Sequence, residues 1–193
     1  MSYSLSAQHI STNLASYEAA RTGFFSLIVN DIDNIIKASY GGAIEEATDK
    51  DKIARAQEVL KLNVVKAPVP HFTLGVNKFK RGNDTVTFAG TPEFESGSIV
   101  VDDFVGTDTR TKDILMAWQA LAYNVHTRKG GRMKDYKKTC TLCEYTQDFE
   151  LVRSWTLHGC WISNISEGEF DKENDGKRQI TAKIEYDRAE LDD

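Results

Sequence analysis

The sequence predicts a mainly β fold with helices: an antiparallel meander in the last third, one amphipathic helix packed on it, and a helical insertion near the N-terminus. Three patterns support this prediction. Residues 179–187 alternate polar and apolar side chains without exception, as in a half-buried strand. Residues 114–125 carry an apolar stripe at helical spacing. The segment KRGND, residues 80–84, separates two strand-like runs and indicates a hairpin turn.

The amphipathic helix is predicted over roughly residues 110–125. An N-cap is available from the polar side chains just before it, and the Gly130-Gly131 pair follows its end. The apolar positions recur every three or four residues, so they lie on one face. The residues expected to pack this face on the sheet are Ile114, Trp118, Leu121 and Val125.

The chain divides into an N-terminal arm, residues 1–22, and one β domain, residues 23–193. The arm is polar with no clean apolar period, so we expect it to need a partner for order. The domain begins with the strand-like run GFFSLIV, residues 23–29. Residues 30–66 contain apolar residues at helical spacing and are predicted to form a helical insertion.

The last three predicted strands, residues 137–147, 151–163 and 177–188, form the meander. In the middle strand, alternation places Trp155 and Leu157 on a dry face. The same alternation places His158 and Cys160 together on the polar face. We therefore expect one side of the meander to pack on the core and the other to meet water.

Composition favours a folded protein from a reducing compartment. The chain has 193 residues, of which 40% are hydrophobic, enough to bury a core. Three cysteines, an odd number, argue against a disulfide framework. No long apolar run or leader-like N-terminus is present, so we expect assembly in the cytoplasm without a membrane anchor. The net charge of -5 opposes nucleic-acid binding by the chain as a whole.

A zinc site is the first alternative that the residues suggest. Cys140, Cys143, His158 and Cys160 supply four side chains of the types that hold structural zinc. On a strand, however, residues three apart point to opposite faces, so Cys140 and Cys143 cannot both reach one ion without a turn. We predict no metal site, with a small zinc-binding module using Cys143, His158 and Cys160 as the alternative.

No catalytic constellation is recognisable. The four histidines lie in unrelated contexts, and no Ser, Cys or acid near them has motif spacing. The glycines of AGTPEFESGS do not follow the order of a phosphate-binding loop. We predict a protein that is not an enzyme and that needs no cofactor.

A basic stretch, HTRKGGRMKDYKK at residues 126–138, is the exception to the acidic composition. Without a series of aromatic residues for base stacking, a solvated loop or a contact with a neighbouring subunit is favoured over nucleic-acid binding. The candidate interface residues are Arg128, Lys129, Arg132, Lys134, Lys137 and Lys138.

Four elements of the C-terminal half occur in a characteristic order. The helix contains W-Q-x-x-A at residues 118–122, and a YKK strand follows at residues 136–138. A G-C-W strand at residues 159–161 precedes a turn and the closing alternating strand. This collinear set, over roughly residues 84–188, resembles the tail tube proteins of contractile-tailed bacteriophages.

The resemblance implies an antiparallel β-sandwich or small barrel packed by one helix. It further implies six copies in a ring, and rings stacked into a hollow tube of the virion tail, inside a contractile sheath. The implied partners are other copies, the sheath protein, baseplate and tail terminator proteins, with tape measure protein and DNA in the lumen. The polar sheet face would line the bore, where net acidity gives passing DNA no place to stick.

Two questions stay open at this point. The same architecture serves the tubes of contractile injection or type VI-like secretion systems, through which proteins pass. Members of the tail tube family typically have a short connection after the first strand, so the role of residues 30–66 is also open. The insertion covers a neighbour in the ring, a neighbour in the next ring, or the sheath.

Overall fold

The computed structural model describes residues 22–39, 50–103, 111–168 and 176–192. Most of the predicted arm, residues 1–21, lies outside these ranges. The elements, in chain order, are β1 (Phe25–Val29), α1 (Asp33–Ser39), α2 (Lys50–Asn63), β2 (Val64–Lys66), β3 (Phe72–Arg81), β4 (Asp84–Phe94), β5 (Gly97–Asp102), α3 (Thr111–Ala122), β6 (Tyr123–Asn124), β7 (Lys129–Gly130), α4 (Met133–Tyr136), β8 (Lys138–Tyr145), β9 (Leu151–Ser166), β10 (Gln179–Glu185) and β11 (Arg188–Asp192).

One long strand, β9, belongs to two antiparallel sheets. Its first half lies between β8 and β11, and β1 pairs with β8, which gives a four-stranded sheet in the order β1-β8-β9-β11. Its second half pairs with β10, which is followed by β5 and β2. The predicted mainly β fold with helices and its antiparallel meander are confirmed. Among the described strands the sheet does not close into a barrel, because β1 and β2 lie at its open ends.

Helix α3 packs its apolar side on the core between these sheets. Ile114 is fully buried and Trp118 is 1% exposed. The Trp118 indole N–H donates a 2.7 Å hydrogen bond to the carbonyl oxygen of Tyr136. The one polar atom of this large side chain is therefore satisfied inside the protein, as burial of an indole requires.

The apolar stripe of α3 is shorter than the sequence predicts. Leu121 is half-buried, but Val125 is 76% exposed and does not pack on the sheet. The reason is that the helix ends at Ala122, whose carbonyl oxygen accepts a 2.9 Å hydrogen bond from the Gly131 N–H. This bond turns the chain into the short β6-β7 ribbon, and Val125 lies in its exposed turn.

Helices α1 and α2 lie within the predicted helical insertion. Residues 40–49, between them, are outside the described ranges. Ile35 and Ile36 of α1, with Ala56 and Leu60 of α2, are buried in the same core cluster as the sheet residues. The two helices are therefore part of the core. No helix within the described ranges is long and apolar enough to cross a membrane.

The alternation of β9 breaks at Gly159, which corrects the predicted faces. Gly159 has a φ of 70°, a left-handed conformation that glycine adopts without strain. Leu157, Cys160 and Ile162 are all buried, so the core face moves by one residue across the glycine. Cys160 therefore lies in the core instead of beside His158 on the polar face.

The β3-β4 hairpin projects from this body. Its strands are joined by the two-residue loop Gly82-Asn83, as predicted, with Gly82 at a φ of 68°. Every residue of β3 is exposed, and so is most of β4. The base of the hairpin is held where Phe94 meets Tyr186 edge to face, with ring centroids 6.3 Å apart.

Candidate assembly surfaces

The candidate zinc ligands do not come together. Cys160 is buried in the core, whereas Cys143 and His158 lie on the opposite face of the four-stranded sheet. Cys143 pairs with Ser154, four residues before His158 along β9, which is about 13 Å. Within the described ranges no group of three or more His, Cys, Asp or Glu residues could hold a metal ion. The zinc-binding alternative is therefore wrong.

The buried thiols are unsuited to nucleophilic chemistry. Cys140 is completely buried beside Cys160. The hydrogen bond between these two thiols, together with burial, raises the pKa of Cys140 well above its ordinary value. A thiol that stays protonated is neither a nucleophile nor a metal ligand. Both cysteines act as small packing residues.

A charged cluster joins the start of α3 to the end of β9. The Lys112 ammonium group donates a 2.8 Å hydrogen bond to the Glu167 carboxylate, which also contacts Arg178. The bond from Lys112, with the positive charge of Arg178, lowers the pKa of Glu167. Arg178 further reaches Asp103, at 3.6 Å. Each carboxylate in this cluster has a cation partner, so the cluster ties elements together and leaves no charge for a ligand.

The face of the four-stranded sheet that points away from the helices is lined by short polar side chains. Hydroxyl groups from Ser26, Thr141, Ser154 and Thr156 recur along neighbouring strands. Asp192 accepts hydrogen bonds from Ser154 and Thr156 at 2.8 and 3.0 Å. We call this surface the polar face.

The arginine of the polar face is matched by a carboxylate. Arg188 lies 3.1 Å from the Glu190 carboxylate. His158 Nε2 lies 3.4 Å from the same carboxylate, without a hydrogen bond. With Asp192 included, β11 brings two carboxylates and one arginine to this face. The described part of the polar face is therefore mildly acidic.

The opposite face of the same sheet, on the side of the helices, carries an apolar row that crosses all four strands. We call it the inner face. Leu27, Leu142, Trp155 and Leu191 are directly opposite one another in the register. Leu27 and Leu142 are buried, but Leu191, at the far end of the row, is 58% exposed. The row therefore ends in an uncovered apolar side chain on β11.

Both outer strands of this sheet have an open edge. In the described residues, β1 pairs only with β8 and β11 only with β9. All three pairings are antiparallel, so β1 and β11 run in opposite directions. Open strand edges expose unpaired N–H and C=O groups and tend to pair with another chain unless they are blocked.

The hairpin exposes apolar residues on both of its faces. Near its base, Phe72, Leu74 and Val76 lie on one face, and Phe72 contacts Phe94 with ring centroids 5.6 Å apart. Near its tip, Phe79 lies on the other face. Its register partner is Val86, and its ring centroid is 5.9 Å from that of Phe88.

Strand β4 shifts its faces by one residue at a bulge where Gly75 and Gly90 meet. A Cβ on Gly90 would lie 3.0 Å from the Gly75 backbone, so the two strands come too close there for larger residues. The exposed apolar residues of the hairpin are Phe72, Leu74, Val76, Phe79, Val86 and Phe88. An uncovered apolar surface of this kind marks an interaction site.

The basic stretch does not form one surface. Arg128, Lys129, Arg132 and Lys134 are exposed, and within the described ranges none of them has an ion-pair partner. Lys137 instead lies 2.7 Å from the Asp187 carboxylate. Lys138 begins β8 and is buried. The exposed basic loop is therefore limited to Arg128, Lys129, Arg132 and Lys134.

Comparisons with known proteins find no family model and no curated protein that matches the sequence. Solved structures do match. One is a chain of an extracellular contractile injection system, the PVC sheath-tube complex in its extended state. It has a TM-score of 0.54 and 13% identity, covering 98% of this chain and 99% of that one.

Two further structures give similar values. A chain of the PVC sheath/tube terminator in the extended state has a TM-score of 0.58 and 14% identity, covering 92% of this chain and 99% of that one. A chain of the anti-feeding prophage baseplate, 6-fold symmetrised, has a TM-score of 0.57 and 11% identity, covering 91% of this chain and 95% of that one. The chain has a fold of the tail tube and injection-system tube type, which confirms the predicted resemblance at the level of fold.

Proposed function

We propose that this chain is the structural subunit of a hollow tube in a contractile machine, with six copies in each ring. The observation that carries the proposal is the four-stranded antiparallel sheet whose two outer strands are open and run in opposite directions. Joining β11 of one copy to β1 of the next keeps every neighbouring pair antiparallel. A closed ring then leaves no open edge on this sheet.

The dimensions of such a ring follow from strand spacing. Six copies of four strands give 24 strands, which at about 4.8 Å each form a circle of about 115 Å, or about 37 Å across. Strand tilt widens this circle further. The polar face lies on the side away from the helices and lines the bore, so the cargo meets hydroxyl groups and carboxylates.

The hairpin supplies a second contact, between one ring and the next. It projects from the body and exposes apolar residues on both faces. A second copy in the adjacent ring covers them. Edge pairing in the ring and hairpin contacts between rings together produce a stacked polymer. The exposed basic loop, Arg128 to Lys134, contacts a neighbouring subunit or the surrounding sheath.

The favoured machine is a bacteriophage tail, assembled in the host cytoplasm and carried on the virion. The mildly acidic polar face supports this choice, since its arginine is matched by Glu190 and retains no phosphate. The partners are then the sheath, baseplate and tail terminator proteins, with tape measure protein and DNA in the lumen. The role is structural, without catalysis.

The second candidate is the tube of a contractile injection machine, through which proteins pass. The structural similarity to injection-system chains over almost the whole length favours it. Neighbouring genes distinguish the two: capsid and portal genes accompany a phage tail, whereas effector and ATPase genes accompany an injection machine.

Negative-stain microscopy of the purified protein tests the shared part of the proposal. We expect rings or tubes of constant width, with six-fold symmetry in end views. A compact monomer at every concentration, also in the presence of its sheath and baseplate, would overturn the tube function.

A further inference from the structure

A groove runs along the open edge of β1. Its floor is the chain from Leu27 to Ile32, and one wall is a face of α2 formed by Ala54, Gln57, Glu58 and Lys61. Its volume is about 540 Å³. The helix therefore leaves room along the strand.

The backbone of β1 points N–H and C=O groups into this groove that no described strand pairs with. The Asn30 N–H donates to the Thr139 carbonyl oxygen, and the Tyr145 N–H donates to the carbonyl oxygen of Phe24. Even-numbered residues of β1 therefore bond to β8. By alternation, the N–H and C=O groups of Phe25, Leu27 and Val29 point the other way. None of the described strands pairs with them.

We propose that this groove binds β11 of the neighbouring copy, and that α2 covers the resulting β1-β11 pair. We call this contact of α2 with the neighbouring β11 the clasp. The proposal rests on the tube function and extends it. It assigns α2, within the insertion at residues 30–66, to a contact within the ring, not to the next ring or the sheath.

The side chains of β11 fit this position. Leu191 continues the apolar row that contains Leu27, and this row faces the side of the sheet on which α2 buries Ala56 and Leu60. When β11 pairs with β1 of the next copy, its inward side chains, Ala189 and Leu191, point at α2 of that copy. The exposed Leu191 is then covered by the helix.

The charge and size of the β11 side chains also fit the groove. Glu190 and Asp192 lie on the polar face, so neither carboxylate enters the groove toward Glu58. The inward residues of β11 are one small and one apolar side chain. The wall of α2 offers Ala54, whose small side chain allows close approach. The β11 of the same copy cannot be the occupant, because β1 and β11 lie at opposite borders of the sheet.

Disulfide trapping tests the clasp in the assembled protein. A chain carrying Ala54→Cys and Leu191→Cys is assembled and oxidised, and the native cysteines are buried and do not interfere. We expect a ladder of covalent multimers on a non-reducing gel, ending at the size of one ring. Chains carrying one substitution each, mixed before assembly, should give only a covalent dimer.

Two controls distinguish other occupants. Leu62→Cys lies on α2 outside the groove, so Leu62→Cys with Leu191→Cys should give no ladder. Phe88→Cys with Ala54→Cys tests the hairpin as the occupant, and efficient crosslinking of that pair in place of Leu191→Cys would overturn the proposal. Circular dichroism checks that each variant is folded.

The outcomes separate this proposal from the function on which it rests. Rings that form without the Ala54→Cys, Leu191→Cys ladder overturn the clasp and leave the tube function standing. Folded chains that never associate overturn both. A ladder that appears in rings and ends at ring size supports both.

Discussion

In the four-stranded sheet, alternating side chains bury one face against the helices, whereas in the β3-β4 hairpin no residue of β3 is buried on either face. Both regions contain β-branched and aromatic residues in strand order. The difference is the location of the partner: the sheet packs on α3 of its own chain, and the hairpin has no such layer among the described residues. On the proposed function, folding and assembly therefore depend on separate sets of apolar residues, which substitutions can distinguish.

The largest effect on folding is expected from Trp118→Ala. Trp118 is 1% exposed and its indole N–H is hydrogen-bonded. Removing it should lower the free energy of unfolding by about 3–5 kcal/mol. Urea unfolding measures this change. Met116→Ala is the matched control, because Met116 lies on the same helix and is 49% exposed. A loss for Trp118→Ala below about 1 kcal/mol would contradict the assignment of the helix face.

Gly159→Ala should destabilise the body by a smaller amount. Its φ of 70° disfavours any side chain, and the new Cβ would lie 2.1 Å from the Asp187 carboxylate. We expect a loss of about 1–3 kcal/mol in the free energy of unfolding. Combining it with Asp187→Ala removes the clash but keeps the backbone strain. A double-mutant cycle should then show partial recovery, and strict additivity would mean that the clash contributes nothing.

This glycine also marks the limit of the sequence-based prediction. The strand at residues 179–187 and the hairpin turn could be predicted, because alternation and a Gly-Asn loop are local patterns. The shift of face comes with the left-handed conformation of Gly159, and Asp187, which leaves no room for a side chain there, comes close only once β10 and β9 have paired. Simple alternation takes no account of such a tertiary contact, and it therefore predicted Cys160 beside His158 on the polar face.

The candidate surfaces were predicted only in part for the same reason. The basic stretch was visible as composition, but Lys137 is paired with Asp187 and Lys138 is buried, contacts that depend on the tertiary fold. Strand β11 was missed because RAELD has no strong β pattern and is ordered by pairing with β9. The apolar character of HFTLGVNKF was visible. The exposure of these residues could not be predicted, since apolar residues in a strand-like run usually indicate a core.

Substitutions at the hairpin tip should impair assembly more than folding, whereas substitutions in the body should impair folding. Phe79→Ser with Phe88→Ser removes half-exposed apolar side chains and one cross-strand aromatic pair at the tip, so the free energy of unfolding of the monomer should fall by about 1 kcal/mol or less. Stacking should be lost, because the described contacts of these two rings lie within the hairpin tip and about half of each side chain stays exposed for a second copy. Microscopy should show single rings in place of tubes. Normal tubes from this variant would contradict the assignment of the hairpin to contacts between rings.

The smallest effect is expected from charge reversal in the exposed basic loop, Arg132→Glu with Lys134→Glu. Arg128 is left unchanged, because its φ of 55° makes any substitution a test of backbone strain as well. Folding should not change, since neither side chain has an ion-pair partner among the described residues. Assembly should weaken modestly, because exposed charge pairs contribute about 1 kcal/mol or less each.

Salt concentration separates an electrostatic contact of this loop from a steric one. If the loop binds a neighbouring carboxylate surface, assembly of the unmodified chain should weaken as salt rises, and the reversed variant should show a smaller dependence. Light scattering across a salt series measures both. Equal salt dependence in the two chains would remove the basic loop from the interface. Contacts within and between rings would then come from the strand edges of β1 and β11 that no described strand pairs with, and from the exposed apolar residues of the hairpin.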